Sequence, residues 1–367
     1  MSEGVRQFPC TQCGAKVEFA PGTDALECPY CGNRTTIPAG DEPIEEQDFL
    51  SAVADDLGAD AETEEVPSVQ CRSCAALVEP SASQEAFPCP YCGASIVTTA
   101  RSRRLIKPQA LLPFKIDRGR ATDLFRAWIR KLWFAPDALK KLATLDGRLQ
   151  GLYAPYWSYD ADTTTRYTGQ RGDNYTVTRT RTVNRDGKSV TETYQDTEIR
   201  WRHASGTVHR DFDDVLVVGS ESLPRNLAES LEPWDLGQLT PYADEYLSGF
   251  LAERYQIDVK RGWQRATERM EAVIRVDVKG DIGGDHQRIH SLTTDHRDIT
   301  FKHILLPMWI CSYRYKEKIY RFLVNARTGE VQGQRPWSWV KITLTAIAVA
   351  AVVFLLYWYF NREPPLE

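Results

Sequence analysis

Cys28-Pro29-Tyr30-Cys31-Gly32 and Cys89-Pro90-Tyr91-Cys92-Gly93 share one pattern and lie 61 residues apart in a chain of 367 residues. Each pentapeptide follows a second Cys-x-x-Cys pair, Cys10/Cys13 in the first copy and Cys71/Cys74 in the second. Fourteen residues separate the two pairs in both copies. A recurrence at fixed spacing indicates an internal duplication, so we expect two copies of one small module in the first hundred residues.

Four cysteines in two Cys-x-x-Cys pairs are the ligand pattern of a structural zinc site. Zn²⁺ binds four thiolates in a tetrahedron, and each pair supplies two of them from one tight turn. A glycine after the second cysteine permits the positive φ that such a turn needs. Gly14, Gly32 and Gly93 hold that position, and Ala75 holds it in the fourth turn.

The sequence therefore predicts two four-cysteine zinc ribbons and two zinc ions per chain. The predicted ligands are Cys10, Cys13, Cys28 and Cys31 in the first ribbon and Cys71, Cys74, Cys89 and Cys92 in the second. Each predicted site is closed by four protein ligands, so neither offers a position for catalysis. A redox dithiol and an iron–sulfur cluster are the alternative uses of such pairs.

The cysteines and the first residues of the chain also predict a compartment. No apolar run occurs in residues 1–6, so we expect no signal peptide. Eight paired thiols in a chain that is not exported indicate a reducing cytosol and metal ligation instead of disulfides. Cys311 stands apart from the pairs and is expected to be a buried small side chain.

Composition and charge divide the chain into segments. Residues 1–100 hold 17 acidic and four basic residues, and residues 41–67 hold eleven of the acids and no base. Such a run predicts a solvated, flexible linker, although the apolar Phe49, Leu50, Val53 and Leu57 could form a helical turn on a partner. The predicted organisation is zinc ribbon 1 (1–40), acidic linker (41–67), zinc ribbon 2 (68–100), α+β domain (101–336), transmembrane helix with interfacial flanks (337–361) and a short tail (362–367).

The middle segment shows signals for both helices and strands. Apolar residues at helical spacing predict an amphipathic helix over 119–134, and a second helix is expected over 262–276. Thr240-Pro241 reads as the start of a helix that reaches Tyr255. The other predicted elements are a hairpin of Tyr175–Val183 and Lys188–Trp201 around Asn184–Gly187, strands at Phe301–Tyr315 and Ile319–Val324, and a turn at Asn325–Gly329.

The last element is a candidate membrane span. Ile342–Phe360 is a run of nineteen residues without a charge, between Lys341 and Arg362. Trp337 and Trp339 lie at one end and Tyr357, Trp358 and Tyr359 at the other, as in the aromatic belts of membrane proteins. About twenty apolar residues cross a hydrocarbon core of ~30 Å. We therefore predict a single-pass, tail-anchored protein of the cell (inner) membrane with its N-terminal domains in the cytosol.

No motif in the sequence predicts catalysis. Gly187-Lys188-Ser189 lacks the preceding glycine of a phosphate-binding loop and lies on a predicted hairpin, and no nucleophile elbow, dinucleotide loop or zincin motif occurs. Asp281, Asp285, His286, His290, Asp295 and His296 form the densest polar cluster. His286 and His290 could share a helix face and bind a metal ion, but three nearby glycines favour a loop with solvated histidines. The aromatic residues Trp128, Tyr153, Tyr156, Trp157, Trp263 and Trp309 are expected mainly in the core, with a ligand groove as the alternative.

The order of the motifs resembles a family of bacterial membrane-anchored zinc-ribbon proteins. The likeness rests on the ribbon, the terminal helix and four segments between them: Leu112–Ile116, Tyr153–Trp157, Leu306–Trp309 and Val324–Gly329. Members often carry a label borrowed from the primosomal replication-restart helicase, but this chain lacks the phosphate loop and the Asp-Glu-x-His box of such an ATPase, so we reject helicase activity. Relatives are associated with phage-shock and flotillin-type envelope-stress systems, which implies an adaptor that brings cytosolic partners to the membrane.

The charge of the ribbons bears on whether they bind protein or nucleic acid. Residues 6–38 hold three bases and three acids, whereas phosphate binding needs a basic surface. We therefore expect a non-enzymatic adaptor that binds cytosolic or membrane-associated proteins and the lipid bilayer. A membrane-tethered nucleic-acid-binding regulator is the alternative, and an enzyme with an aromatic groove in the middle domain is a third hypothesis.

Overall fold

The computed structural model describes residues 8–38, 40, 43–54, 63–72, 77–78, 86–89, 94–97, 101–136, 149–185, 188–315 and 318–361. The helices are α1 (Phe49–Ala54), α2 (Arg118–Lys131), α3 (Arg225–Glu229), α4 (Val259–Ile282) and α5 (Trp339–Phe360), with 3-10 turns at Leu236–Gln238 and Asp244–Leu247. The strands are β1 (Glu18–Phe19), β2 (Ala25–Glu27), β3 (Arg34–Thr36), β4 (Gln47–Asp48), β5 (Thr63–Gln70), β6 (Leu77–Val78), β7 (Ala86–Pro88), β8 (Ser95–Val97), β9 (Arg101–Ile106), β10 (Ala110–Leu111), β11 (Gln150–Arg185), β12 (Lys188–Val218), β13 (Thr240–Pro241), β14 (Leu251–Ala252), β15 (His286–Tyr315), β16 (Lys318–Asn325) and β17 (Val331–Gly333).

Three very long strands organise the middle of the chain. β11 pairs antiparallel with β12 on one side and with β15 on the other, and shorter strands extend the sheet beyond β15. The β11–β12 hairpin closes where Arg185 pairs with Lys188, which confirms the predicted hairpin and makes it much longer. Past Gly172, which pairs with His286, β11 and β12 pair only with each other among the described strands, and they form a ribbon of about 40 Å. The middle segment is sheet-rich, with helices packed on it, and is less helical than the predicted α+β domain.

Alternation along the strands divides the core between the two faces of the sheet. Tyr153 and Trp309 face a cluster that includes α2, whereas Ala154 and Tyr156 face the opposite cluster with α3. Trp157 belongs to a third cluster, which is covered by α4. The expectation that most of the aromatic set lies in the core is confirmed for Tyr153, Tyr156, Trp157 and Trp309, all of which are buried.

Helix α4 contains the predicted helix over 262–276 and is longer than predicted at both ends. Its buried residues recur every four positions from Ala266 to Ile282, which gives a continuous apolar stripe against the sheet. The side chain of Asp258 accepts a hydrogen bond from the backbone N–H of Arg261 at 2.8 Å and caps the first turn. Gly283, with φ of 65°, ends the helix. The predicted range 262–276 is therefore the middle of a 24-residue helix.

The predicted helix from Thr240 to Tyr255 is wrong. Thr240–Pro241 forms β13, which pairs antiparallel with Ala110–Leu111, and a 3-10 turn and β14 follow it. The Thr240 hydroxyl donates to the carbonyl of Leu111 at 3.2 Å, so it is directed at the neighbouring strand and caps no helix. Pairing with a distant strand thus overrides the local helix-start signal.

The first ribbon is docked on the sheet. The backbone N–H of Phe19 donates to Ser248 O at 2.9 Å, and that of Gly22 donates to Phe114 O at 2.8 Å. The Phe19 ring packs edge-on against Tyr246, with ring centroids 5.2 Å apart. Ribbon 1 and the sheet therefore share one apolar core.

The described part of the acidic segment is also docked, in contrast to the predicted flexible linker. Strand β4 pairs antiparallel with Thr300–Phe301 of β15. Helix α1 follows directly, and its Phe49 ring packs against Trp263 at 5.3 Å between centroids. The charge composition predicted a solvated linker because it contains no information on the side chains that contact this segment in the fold, such as Trp263 and Lys302.

One helix in the described part of the chain is long and apolar enough to cross a membrane. This helix is α5, with 22 residues, and none of its residues is buried against the rest of the structure. The Ser338 side chain caps its first turn at the Lys341 N–H. Its length and composition agree with the predicted span.

Candidate metal centre

Two matching turns bring the first four cysteines together. In each turn the cysteine N–H donates to a carbonyl five residues ahead, Cys10 to Ala15 at 2.6 Å and Cys28 to Asn33 at 2.9 Å. Gly14 and Gly32 return hydrogen bonds to the carbonyls of Cys10 and Cys28, and both glycines have φ of 72°. The glycine after the second cysteine thus has the positive φ that the sequence predicted.

The four sulfurs have the spacing of a tetrahedral thiolate site. The Sγ atoms of Cys10, Cys13, Cys28 and Cys31 all lie within 4.8 Å of one another. The Cys10–Cys31 and Cys13–Cys28 sulfur pairs are each 3.6 Å apart, far beyond a disulfide bond. A tetrahedron with Zn–S bonds of ~2.3 Å places its sulfurs about 3.8 Å apart. The donor set therefore fits one metal ion with four thiolates.

Backbone amides favour the ionised form of two of these thiols. Amides of Cys13 and Gln12 are directed at the Cys10 sulfur, and they lower the pKa of Cys10 to about 6. The amide of Cys31 likewise lowers the pKa of Cys28. The Asn33 amide group adds a donor 3.8 Å from the Cys10 sulfur. Such donors orient and stabilise the thiolates that a metal requires.

The second ribbon is described only in part. Cys71 and Cys89 are buried, and the Cys89 N–H donates to Ala94 O at 2.7 Å, which repeats the turn geometry of Cys28. Cys74 and Cys92 lie outside the described residues. The structure thus shows one complete four-cysteine cluster and a second buried cysteine pair in the matching place.

The tip of the Cys28 turn carries an exposed aromatic side chain. Tyr30, between Pro29 and Cys31, is 81% exposed. Near it, Arg34 pairs with Glu27 at 2.8 Å, so two of the charges of this ribbon neutralise each other. The described surface at this end of the ribbon is therefore aromatic and is not strongly basic.

The predicted polar cluster at 281–296 is divided among separate contacts. Asp281 accepts a hydrogen bond from the Tyr167 hydroxyl at 2.5 Å, and Asp295 pairs with Arg166 at 3.0 Å. His286 and His290 lie on strand β15 instead of the expected loop. Among the described residues, no three of these six side chains form a group that could hold a metal ion.

Sequence reasoning missed a charged cluster at the bulge of β11. Asp160, Asp213 and Asp214 lie close enough to share a cation. However, the Nζ atom of Lys302 lies 3.0 Å from Asp214 and 3.8 Å from Asp160, so an ammonium supplies the positive charge. Burial raises the pKa of Asp160 to about 6, even though the N–H of Asp214 donates to its carboxylate. Three distant segments meet here, and only the Asp213-Asp214 pair is visible as a local signal.

Cys311 lies in β15 and is buried, as the sequence predicted. It is far from the ribbon cysteines in the sequence, and its sulfur approaches the carbonyl of Ser312 at 3.8 Å. The apolar cluster that contains it also holds Phe322 and Val324. Its position supports a packing role.

Comparison with known proteins identifies a distant relative. The chain is similar to the uncharacterized protein YdjG of Bacillus subtilis (strain 168), with 24% identity over 349 residues. The similarity covers 95% of this chain and 95% of that protein. No protein-family model and no solved structure matches the chain.

Proposed function

We propose that this chain is a non-enzymatic, membrane-anchored adaptor that recruits cytosolic or membrane-associated proteins through its zinc ribbons. The observation that carries the proposal is the exposure of Tyr30 at the tip of a turn of the four-cysteine cluster. Tyrosine is enriched among the residues that dominate protein interfaces, and a rigid turn presents it at low entropic cost. Because ribbon 1 is docked on the sheet, a partner held at Tyr30 is fixed relative to the body that precedes α5.

The proposed role of zinc is structural at both ribbons. Cys10, Cys13, Cys28 and Cys31 would hold one ion, and Cys71, Cys74, Cys89 and Cys92 would hold a second. With four protein ligands the metal contributes folding energy and leaves no coordination position for a substrate. The proposal of two ions rests on the complete first cluster and on the matching turn at Cys89.

The proposed location is the cell (inner) membrane, with α5 as the single span and both ribbons in the cytosol. The apolar, unburied surface of α5 supports the span. Thiolate sites persist in a reducing compartment, which supports the cytosolic side for residues 1–340. The family of bacterial membrane-anchored zinc-ribbon proteins, with its link to envelope-stress systems, is the assignment that these features favour.

Site-specific crosslinking in living cells tests the adaptor. A photoreactive benzoylphenylalanine at position 30 should give discrete protein adducts in the membrane fraction. The same group at position 276 serves as control, because Val276 is an exposed apolar residue on α4, away from the ribbon. Adducts should disappear when Cys28→Ser is combined with the label at position 30, since the turn then loses its shape.

Two results would overturn the adaptor. Equal adduct patterns at positions 30 and 276 would show that Tyr30 has no specific partner. Adducts to nucleic acid at position 30, with binding that weakens steeply as salt increases, would favour the membrane-tethered nucleic-acid regulator.

A further inference from the structure

The end of helix α2 is joined to the start of the apolar helix α5. The Ser338 N–H donates to Phe134 O at 2.8 Å, and the Lys341 Nζ donates to Ala135 O at 3.0 Å. The rings of Phe134 and Trp337 lie 6.4 Å apart. Residues 132–136 are therefore held beside the first turn of α5.

An exposed tryptophan lies at this junction. All ten tryptophans are described, and the exposed ones are Trp133, Trp337, Trp339 and Trp358. Trp358 lies near the C-terminal end of α5. Trp133, Trp337 and Trp339 lie beside the start of that helix. Trp133 is 72% exposed although it belongs to the folded body and is outside α5. Tryptophan with one wet and one apolar side is typical of the membrane–water interface.

The same end of α2 is basic. Two of the five cations of the helix, Arg130 and Lys131, lie in its last turn, whereas Arg118 and Arg120 lie at its start and Arg126 pairs with Asp123, its single carboxylate, at 3.4 Å. Arg130 and Lys131, in the last turn, are exposed. The helix dipole accounts for cations at a helix C-terminus, but it gives no reason for an exposed tryptophan beside them. An anionic lipid surface accounts for both.

We propose that the C-terminal end of α2 lies in the headgroup layer of an anionic phospholipid bilayer, with Trp133 inserted and Arg130 and Lys131 on the lipid phosphates. The inference rests on the proposed membrane span of α5 and adds a second contact to it. A second membrane contact beside α5 restricts rotation of the body about the axis of that helix. The bilayer thereby fixes the direction in which the body presents its ribbons.

Photocrosslinking of the full-length chain in lipid nanodiscs tests this contact. Benzoylphenylalanine replaces Trp133, Trp339 or Val276 in separate samples, and lipid adducts are counted by mass spectrometry. The nanodiscs contain phosphatidylcholine with an equal part of phosphatidylglycerol. Position 133 should yield lipid adducts at a level near that of position 339 and at least several-fold above position 276.

A charge variant tests the anionic preference. Arg130→Gln with Lys131→Gln should lower the ratio of phosphatidylglycerol to phosphatidylcholine adducts at position 133 several-fold. Arg275→Gln with Lys279→Gln, two exposed changes on α4, is the matched control and should leave the ratio unchanged.

The outcomes separate this inference from the membrane span. Lipid adducts at position 339 without any at position 133, or protein adducts alone at position 133, would overturn the headgroup contact and leave the span intact. If the ratio of phosphatidylglycerol to phosphatidylcholine adducts at position 133 is unchanged in the charge variant, the anionic preference is overturned. Absence of lipid adducts at position 339 would overturn the span, and the contact with it.

Discussion

The ammonium of Lys302 lies 2.9 Å from the carboxylate of Glu46, so strand β15 and the acidic segment are joined by an ion pair across 256 residues of sequence. Lys302 also contacts Asp214 and Asp160, and its side chain is only 10% exposed. Hydrogen bonds from Thr300 and Lys302 outweigh the burial of Glu46 and hold its pKa at about 2. The acidic segment is thus attached to the sheet by Lys302, a cation in the middle of strand β15.

Removal of that cation should be costly. Lys302→Met leaves three carboxylates close together without a counter-charge, and we expect a loss of about 3 kcal/mol in the free energy of unfolding. Glu46→Gln should cost less than about 1 kcal/mol, because the Glu46 side chain is more than a third exposed. Denaturant titration of detergent-solubilised protein measures both values. Equal costs for the two variants would contradict the central role of Lys302.

Zinc content should follow the cysteines of each ribbon. We expect two zinc ions in the intact chain and one in Cys28→Ser, as measured by elemental analysis of freshly reduced protein. Hydrogen exchange should show loss of protection at the amides of Phe19 and Gly22, which bond to Ser248 and Phe114 of the middle segment, while the Cys89 amide keeps its protection. Cys311→Ser is the control and should retain both ions. A single ion in the intact chain would refute the second site.

Acid should destabilise the fold through His303. Burial lowers the pKa of His303 to about 4 from its ordinary 6.5, and its Nδ1 bonds to Ile106 O at 3.0 Å. Between those pH values the unfolded chain binds a proton that the folded chain does not, so stability falls as the pH falls from 6.5 to 4. The full effect is about 3 kcal/mol.

Comparison of His303→Gln with the intact chain isolates this effect. Asp160 titrates in the same range with the opposite sign, because its raised pKa favours the folded state as the pH falls. Only the difference between the two unfolding curves therefore reports on His303. The stability of the intact chain relative to His303→Gln should fall by about 3 kcal/mol between pH 7 and pH 4, and a difference that stays constant with pH would contradict the prediction.

The sequence predicted the features that depend on residues close together in the chain. The Cys-x-x-Cys spacing gives the four-cysteine cluster because the ligands of each turn are three residues apart, and Asn184–Gly187 marks a hairpin whose two strands are neighbours in sequence. The apolar repeat of α4 is equally local. Each of these features needs no knowledge of a distant segment.

Long-range pairing explains what the sequence did not reveal. Thr240–Pro241 becomes a strand only because Ala110–Leu111 offers it a partner. The docking of ribbon 1 depends on Ser248 and Phe114, and the charged cluster depends on Lys302 reaching Asp160 across the β11–β15 pair. Nothing in the residues near each of these positions specifies the other partner, so composition and periodicity leave them unassigned.

Two glycines on α4 should respond in opposite ways to alanine. At Gly262 an added Cβ would come within 2.2 Å of the Tyr159 hydroxyl, which donates to Val259 O at 2.7 Å. Gly262→Ala must therefore shift the helix or break that bond, at a cost of about 1–3 kcal/mol. Gly280 has no atom within 4 Å of that position, and Gly280→Ala should stabilise by about 0.5 kcal/mol. Thermal unfolding measures both, and a loss at Gly280 equal to that at Gly262 would contradict the close packing at Tyr159.

The orientation of α5 is the last prediction. Arg335 and Lys341 precede the span and favour the cytosolic side for that end, but two charges are a small bias. The thiolate site adds an independent reason, because four clustered cysteines outside the cytosol would be exposed to oxidation. A phosphatase that is active only outside the cytosol should therefore be silent when fused at residue 2 and active when fused after Glu367. A fusion partner that fluoresces only in the cytosol should show the opposite pattern at the same two positions, which controls for expression. Activity of the phosphatase at residue 2 would place the ribbons outside the cytosol, and the adaptor for cytosolic proteins would then be excluded.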